Sequence, residues 1–224
     1  MNKYLFPIYA VILGFIIVKL TKNKPVKNIK ILLAFSGAFL MSLTFFELFP
    51  EVFEHLDYKR AGLFIMIGVL FQIFLEFFSK GAEHGHVHIH KNSSTFPWLI
   101  FISLCIHAFL EGFPIHQHND MVYGVLIHKI PIAILITTYL FQSGFKNFQI
   151  IAFLLLFAIM TPLGTVISNN VELRPGLLTH INAVVIGIFL HISTTILFES
   201  SEGHKFNLNK ILAIITAVAI AYFI

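Results

Sequence analysis

Residues 107–132 read HAFLEGFPIHQHNDMVYGVLIHKIPI. Two apolar segments flank a short polar turn, and each carries ionisable groups that a bilayer core disfavours: His107 and Glu111 in the first, His128 and Lys129 in the second. On a helix, residues four apart share one face about one turn apart, so His107 and Glu111 present an imidazole nitrogen and a carboxylate oxygen together. That is a bidentate metal-ligand arrangement. Pro131 has no amide proton and clashes with the carbonyl four residues back, which predicts a bend and frees the Ile127 oxygen beside His128.

The rest of the chain makes a membrane setting for this stretch. Of 224 residues, 57% are hydrophobic and 26 are Phe, and the mean hydropathy is +0.85, too apolar for a soluble domain of this size. The sequence predicts an all-α polytopic membrane protein. Its one cysteine, Cys105, excludes an internal disulfide framework and any CxxC site. A net charge of +4 comes largely from lysines in short loops between apolar runs, so it reports orientation and not nucleic-acid binding.

A hydrocarbon core needs roughly 20 helical residues per crossing. Runs of that kind fall near residues 3–20, 30–53, 61–79, 96–114, 121–142, 148–168, 178–199 and 208–224, which predicts eight transmembrane helices in a single domain over 1–224. No small-residue cleavage site follows the first run, so it is kept as a helix. With the N-terminus outside, the inner loops hold Lys22, Lys24, Lys27, Lys30, Lys80, Lys91, Lys146, Lys205 and Lys210. Only Lys3, Lys59, Arg60 and Arg174 remain outside, a bias that places both termini on the outer face.

Polar groups along the runs mark a route for cations. Glu47 and Glu51 stand one turn apart at the outer end of the second helix, ahead of Glu54, His55 and Asp57, and such an acidic rim concentrates cations. Glu76 closes the third helix, and the inner loop over 80–95 follows with His84, His86, His88 and His90, alternating imidazoles that bind and release metal loosely. His116 and His118 lie on the outer side, and His191 shares a face with His180 on the seventh helix. Glu199, Glu202 and His204 stand near the inner end. Counting about 1.5 Å per residue puts His107 some 15 Å into the membrane from one side and His128 about 10 Å from the other. Their helices are joined by a short connection, so the three side chains can converge.

An ionisable side chain at the bilayer centre costs at least ~2.5 kcal/mol. A Glu111–Lys129 salt bridge fastening the two helices would account for that pair alone. It has no need of two imidazoles, whereas His nitrogen with carboxylate oxygen is the donor set for zinc and similar first-row ions.

These motifs resemble the ZIP zinc and iron permeases. The resemblance rests on His107, Glu111 and Gly112 in the fourth helix and on the His128–Lys129 pair in the fifth, a form used in one branch of that family. Weaker echoes are Leu48-Phe49-Pro50-Glu51, Pro162-Leu163-Gly164 and Gly187-Ile188-Phe189-Leu190. It implies eight helices and a carrier that moves a divalent ion into the cytoplasm by alternating access, through a site of His107, Glu111 and His128. Glu47, Glu51, Glu76, His84, His86, His88, His90, His116, His118, Lys129 and His191 are the candidate access or exit groups.

This chain departs from the family in having Ala108, Lys129 and Ile132 where many members carry polar or acidic groups, and Glu47 where a His is frequent. Lys129 stands where two-metal members have an acid, and an ammonium there repels a second cation, so one bound ion is expected. Water, Met41, Ser42 or a backbone carbonyl is left to supply a fourth ligand.

Zn2+ is the expected cargo, with Fe2+, Mn2+ and Cd2+ not separated by ligand type. No resident cofactor and no enzymatic activity are expected. A zinc-dependent intramembrane hydrolase would need HExxH, which is absent from the sequence; a channel-like conductor using the same site stays open. Partners are then the metal ion and the bilayer of the plasma or inner membrane, not nucleic acid, and a homodimer remains open.

Overall fold

The computed structural model describes residues 3–24, 26, 28–79, 97–115, 118, 120–170, 176–199 and 208–224. His84, His86, His88, His90, His116, Glu202, His204 and the side chain of Glu199 lie outside the described residues. A 3-10 turn, Lys3–Leu5, leads into α1 (Phe6–Leu20); then follow α2 (Ile29–Leu43), a π-helical turn (Thr44–Leu48), α3 (Phe49–His55), α4 (Tyr58–Ser79), α5 (Trp98–Leu110), α6 (Met121–Gln142), α7 (Asn147–Asn170), α8 (Leu177–Glu199) and α9 (Leu208–Tyr222). There is no strand among the described residues. The protein is all-α.

Among the described residues, five helical stretches are long and apolar enough to cross a membrane: Ile29–His55, Tyr58–Ser79, Met121–Gln142, Asn147–Asn169 and Leu177–Phe198. Three further apolar helices, α1, α5 and α9, are shorter. The interior is largely apolar, and so is the outer surface, unlike that of a water-soluble fold. On α4, Leu63, Met66, Leu70, Phe74 and Phe77 face outward while Gln72 and Ser79 are fully buried. Large apolar side chains outside and polar ones inside suit a lipid solvent.

Local chemistry sets the helix ends. Gly144, at a φ of +80°, closes α6, with the Phe145 N–H reaching back to the Leu140 carbonyl. Helix α5 stops at Leu110, earlier than the run to residue 114 predicts, because Gly112 and Pro114 both oppose helix. The stretch from Glu111 to Ile115 nevertheless stays buried. Its backbone is satisfied from α7: the Thr165 hydroxyl donates to the Gly112 carbonyl at 2.8 Å and the Ser168 hydroxyl to the Phe113 carbonyl at 3.1 Å. Irregular backbone at membrane depth requires such partners. Helices α6 and α7 both run unbroken across Pro131 and Pro162.

The helices pack as parallel pairs. Along α4 and α8, Phe64 meets His180, Gly68 meets the Val184 carbonyl and Glu76 meets His191, early residues with early and late with late. Along α1 and α6 the sequence is Phe6 with Tyr123, Gly14 with Ala133 and Phe15 with Phe141. Phe101 meets Phe153 between α5 and α7, and beyond α5 Phe113 meets Ser168. Phe46, late in the Ile29–His55 stretch, meets Tyr222 at the end of α9. Gly68 and Gly187 bring α4 and α8 into backbone contact: a Cβ on either would land on a carbonyl of the facing helix.

Candidate metal centre

His107 sits one turn before the end of α5, and Glu111 is the residue on which that helix ends. The Glu111 N–H still bonds the His107 carbonyl at 3.0 Å, so the i, i+4 spacing survives the end of the helix. His128 and Lys129 come from the second turn of α6. All four side chains are between 1 and 3% exposed. One ligand atom from each of His107, Glu111 and His128 lies within 4.8 Å of the others. His107 Nε2 and Glu111 Oε2 are 3.5 Å apart, and donors bound tetrahedrally at about 2.0–2.1 Å sit about 3.3 Å from one another. That edge of the site is therefore nearly formed. His107 Nδ1 has no hydrogen-bond partner among the described residues, and Nε2 has only the Glu111 carboxylate nearby. A buried imidazole left in this way is short of a hydrogen bond or a ligand.

Beside the imidazoles, Lys129 Nζ pairs with Glu111 Oε1 and donates to Thr161 Oγ1 at 2.8 Å. The Lys129 ammonium also stands over the Phe157 ring, 4.4 Å from its centroid. The Glu111–Lys129 salt bridge, the competing account of these buried charges, is thus present, and the two imidazoles stand beside it.

The Zip family model, described as ZIP Zinc transporter, matches residues 79–224, more than half of the chain and every residue of this cluster. The chain belongs to the ZIP zinc transporter family. Among curated relatives, Zinc transporter ZIP1 of Danio rerio is 29% identical over 135 residues, covering 56% of this chain and 44% of the relative. Zinc transporter ZIP1 of Takifugu rubripes is 27% identical over 135 residues, with the same coverage of 56% and 44%. The alignment thus spans less than half the length of either relative.

The other residues singled out in this ZIP sequence fall into two further groups. On the side of α3, His118 lies between two carboxylates: its Nε2–H donates to Glu51 Oε2 at 2.9 Å, and Nδ1 is 3.7 Å from Glu47 Oε2. Asn182 of α8 donates to the same Glu51 oxygen at 3.2 Å. The Glu51 hydrogen bond raises the His118 pKa above the ordinary 6.5; burial opposes this, and the charges of Glu51 and Glu47 add to it. On the opposite side, His191 Nε2–H donates to Glu76 Oε2 at 2.6 Å, joining α8 to α4. His180 shares that face but bonds the Gly176 carbonyl at 2.6 Å and meets the Phe64 ring.

Among the suggested fourth ligands, Ser42 donates to Ala38 O in its own helix at 2.8 Å. Sequence reasoning missed Thr161, Phe157 and Asn182. Nothing in the sequence sets Thr161 apart from the other threonines of the apolar runs.

Proposed function

We propose that this protein carries one divalent metal ion, zinc foremost, across a membrane through the site of His107, Glu111 and His128. The observation that carries the reading is the buried convergence of two imidazoles and a carboxylate within 4.8 Å on α5 and α6. Nitrogen with carboxylate oxygen matches zinc, and three protein ligands leave a shell open enough for the ion to depart on each cycle. The Lys129 ammonium fills the flank of Glu111 with a positive charge, which disfavours a second cation and supports a single ion per cycle.

The whole chain acts as one transmembrane domain of eight spans with both termini outside. Parallel packing of α4 on α8, α1 on α6, α5 on α7 and α2 on α9 supports the eight crossings, because helices an even number of crossings apart run the same way, and the Lys/Arg bias supports the side on which the termini lie. On this reading Glu47, Glu51 and His118 border the outer access route, and Glu76 and His191 the inner one. The histidines of the 80–95 loop, which lie outside the described residues, are candidates for collecting released metal. In the plasma or inner membrane, an inside-negative potential of 100 mV draws a dication inward by roughly 4.6 kcal/mol.

Uptake of radiolabelled zinc into proteoliposomes tests the reading. Wild type takes up zinc with saturating kinetics, and His107→Ala and Glu111→Ala each lose at least about tenfold of it. Transport by either variant at the wild-type rate would discard the site.

A further inference from the structure

The two carboxylate oxygens of Glu111 face different surroundings. Oε2 looks toward His107 Nε2 at 3.5 Å. Oε1 pairs with Lys129 Nζ and lies 2.7 Å from Thr161 Oγ1. Lys129 itself is fully placed: one proton goes to Glu111, one to Thr161 Oγ1 at 2.8 Å, and the third direction is covered by the Phe157 ring. Thr161 Oγ1 is also 2.8 Å from the Ala108 carbonyl, so its single proton lies between the α5 backbone and the Glu111 carboxylate while its lone pair receives Lys129. One hydroxyl on α7 thereby fixes both members of the α5–α6 ion pair.

We propose that Thr161 is a specificity-determining positioning residue: by holding Lys129 and Glu111 Oε1 together, it makes Glu111 offer an arriving ion one oxygen instead of two. The proposal rests on the transport reading of the site. Its chemical consequence is coordination number. A chelating carboxylate enlarges the shell and suits ions such as manganese that favour six oxygen-rich ligands. One oxygen with two imidazoles makes three ligands, and a single further donor completes the four that zinc favours. Occupying Oε1 therefore turns the same three residues against manganese.

Competitive uptake of zinc and manganese into proteoliposomes, compared for wild type, Thr161→Val and Thr161→Ser, tests this. Thr161→Val keeps the side-chain shape without the hydroxyl, and its zinc-over-manganese preference falls about tenfold, the effect of one hydrogen bond to a charged group. Thr161→Ser keeps the wild-type ratio. If Thr161→Val lowers both ions together and leaves the ratio unchanged, or if Thr161→Ser behaves like it, the proposal is overturned.

A second readout holds even where the valine variant does not fold. In the zinc-minus-apo infrared difference spectrum of the wild type, a one-oxygen carboxylate shows a wide gap between its two stretching bands. The narrow gap of a chelating carboxylate would overturn the proposal. Absence of uptake of both ions by the wild type would instead count against transport, while the infrared gap, compared between wild type and Thr161→Ser and Thr161→Val, still reads whether the Thr161 hydroxyl limits Glu111 to one oxygen.

Discussion

Lys129 and Glu111 are buried charges that depend on each other. Removing one partner leaves the other uncompensated, which typically costs 3–5 kcal/mol, whereas replacing both by neutral side chains is far milder. Lys129→Met is therefore expected to lower stability by about 3 kcal/mol in detergent melting, and Glu111→Gln added to it to recover most of that loss. Zinc supplies the missing positive charge to Glu111, so it raises the melting temperature of Lys129→Met more than that of the wild type. Equal zinc effects in the two proteins would refute the assignment of Glu111 as ligand. That His107, Glu111 and His128 converge could be anticipated from the sequence because a titratable group in an apolar run stands out and the four-residue spacing sets its direction. Thr161 could not. Thr138 and Thr194 spend their hydroxyls on carbonyls of their own helices, and Thr161 reaches across to Ala108 and Glu111 at the end of α5 and to Lys129 of α6. In a sequence, the three are indistinguishable threonines in apolar surroundings.

At the level of elements, the length of the apolar runs marked where helices lie, but one end and one internal irregularity were not legible. The apolar run extends to residue 114, yet α5 ends at Leu110, because Gly112 and Pro114 oppose helix and hydroxyls from α7 donate to the carbonyls left free there. The π turn at Thr44–Leu48 is likewise invisible to hydropathy. It precedes α3, where Glu51 meets His118 in the connection between α5 and α6.

That contact predicts a pH dependence. Because the folded His118 pKa is raised above 6.5, its stabilising contribution is complete below that value and is lost as pH climbs through the raised one. Backbone exchange in the 111–120 connection should accelerate over that interval in the wild type. His118→Gln should remove the pH step; a step that persists would assign it to another group.

The α4–α8 pair gives a sharper element test. Gly68→Val drives two methyl groups and a Cβ into the Val184 backbone, and overpacking of this kind costs about 1–3 kcal/mol or more. Thermal melting would reveal it, while Gly62→Val, at a position with open space around it, should be close to neutral.

For the whole molecule, the arrangement follows from pairing helices that run the same way. Thiol labelling tests the resulting topology: in a variant with its one native thiol, Cys105, replaced by Ser, a cysteine at Lys59 should react with a membrane-impermeant reagent from outside, and one at Lys22 only after permeabilisation. The reverse pattern would invert the orientation. The positions of the apolar helices were legible because each run stays apolar along its length. Which run packs on which was not, since that depends on small residues such as Gly68 and Gly187 meeting a carbonyl of a distant segment, and no local pattern announces the partner.

The buried, unwound stretch after α5 also bears on how the chain is made. Ala108, Gly112 and Phe113 have carbonyls received by Thr161, Thr165 and Ser168, which emerge from the ribosome some fifty residues later. Until those hydroxyls arrive, lodging that backbone in lipid leaves it without acceptable partners. Nascent chains truncated ahead of Thr161 should therefore keep the Gly112 region beside the translocon or in water, and only chains that include Ser168 should release it into the bilayer. Site-specific crosslinking of arrested chains would follow that handover, and it makes assembly of the metal pocket one of the later events in biosynthesis.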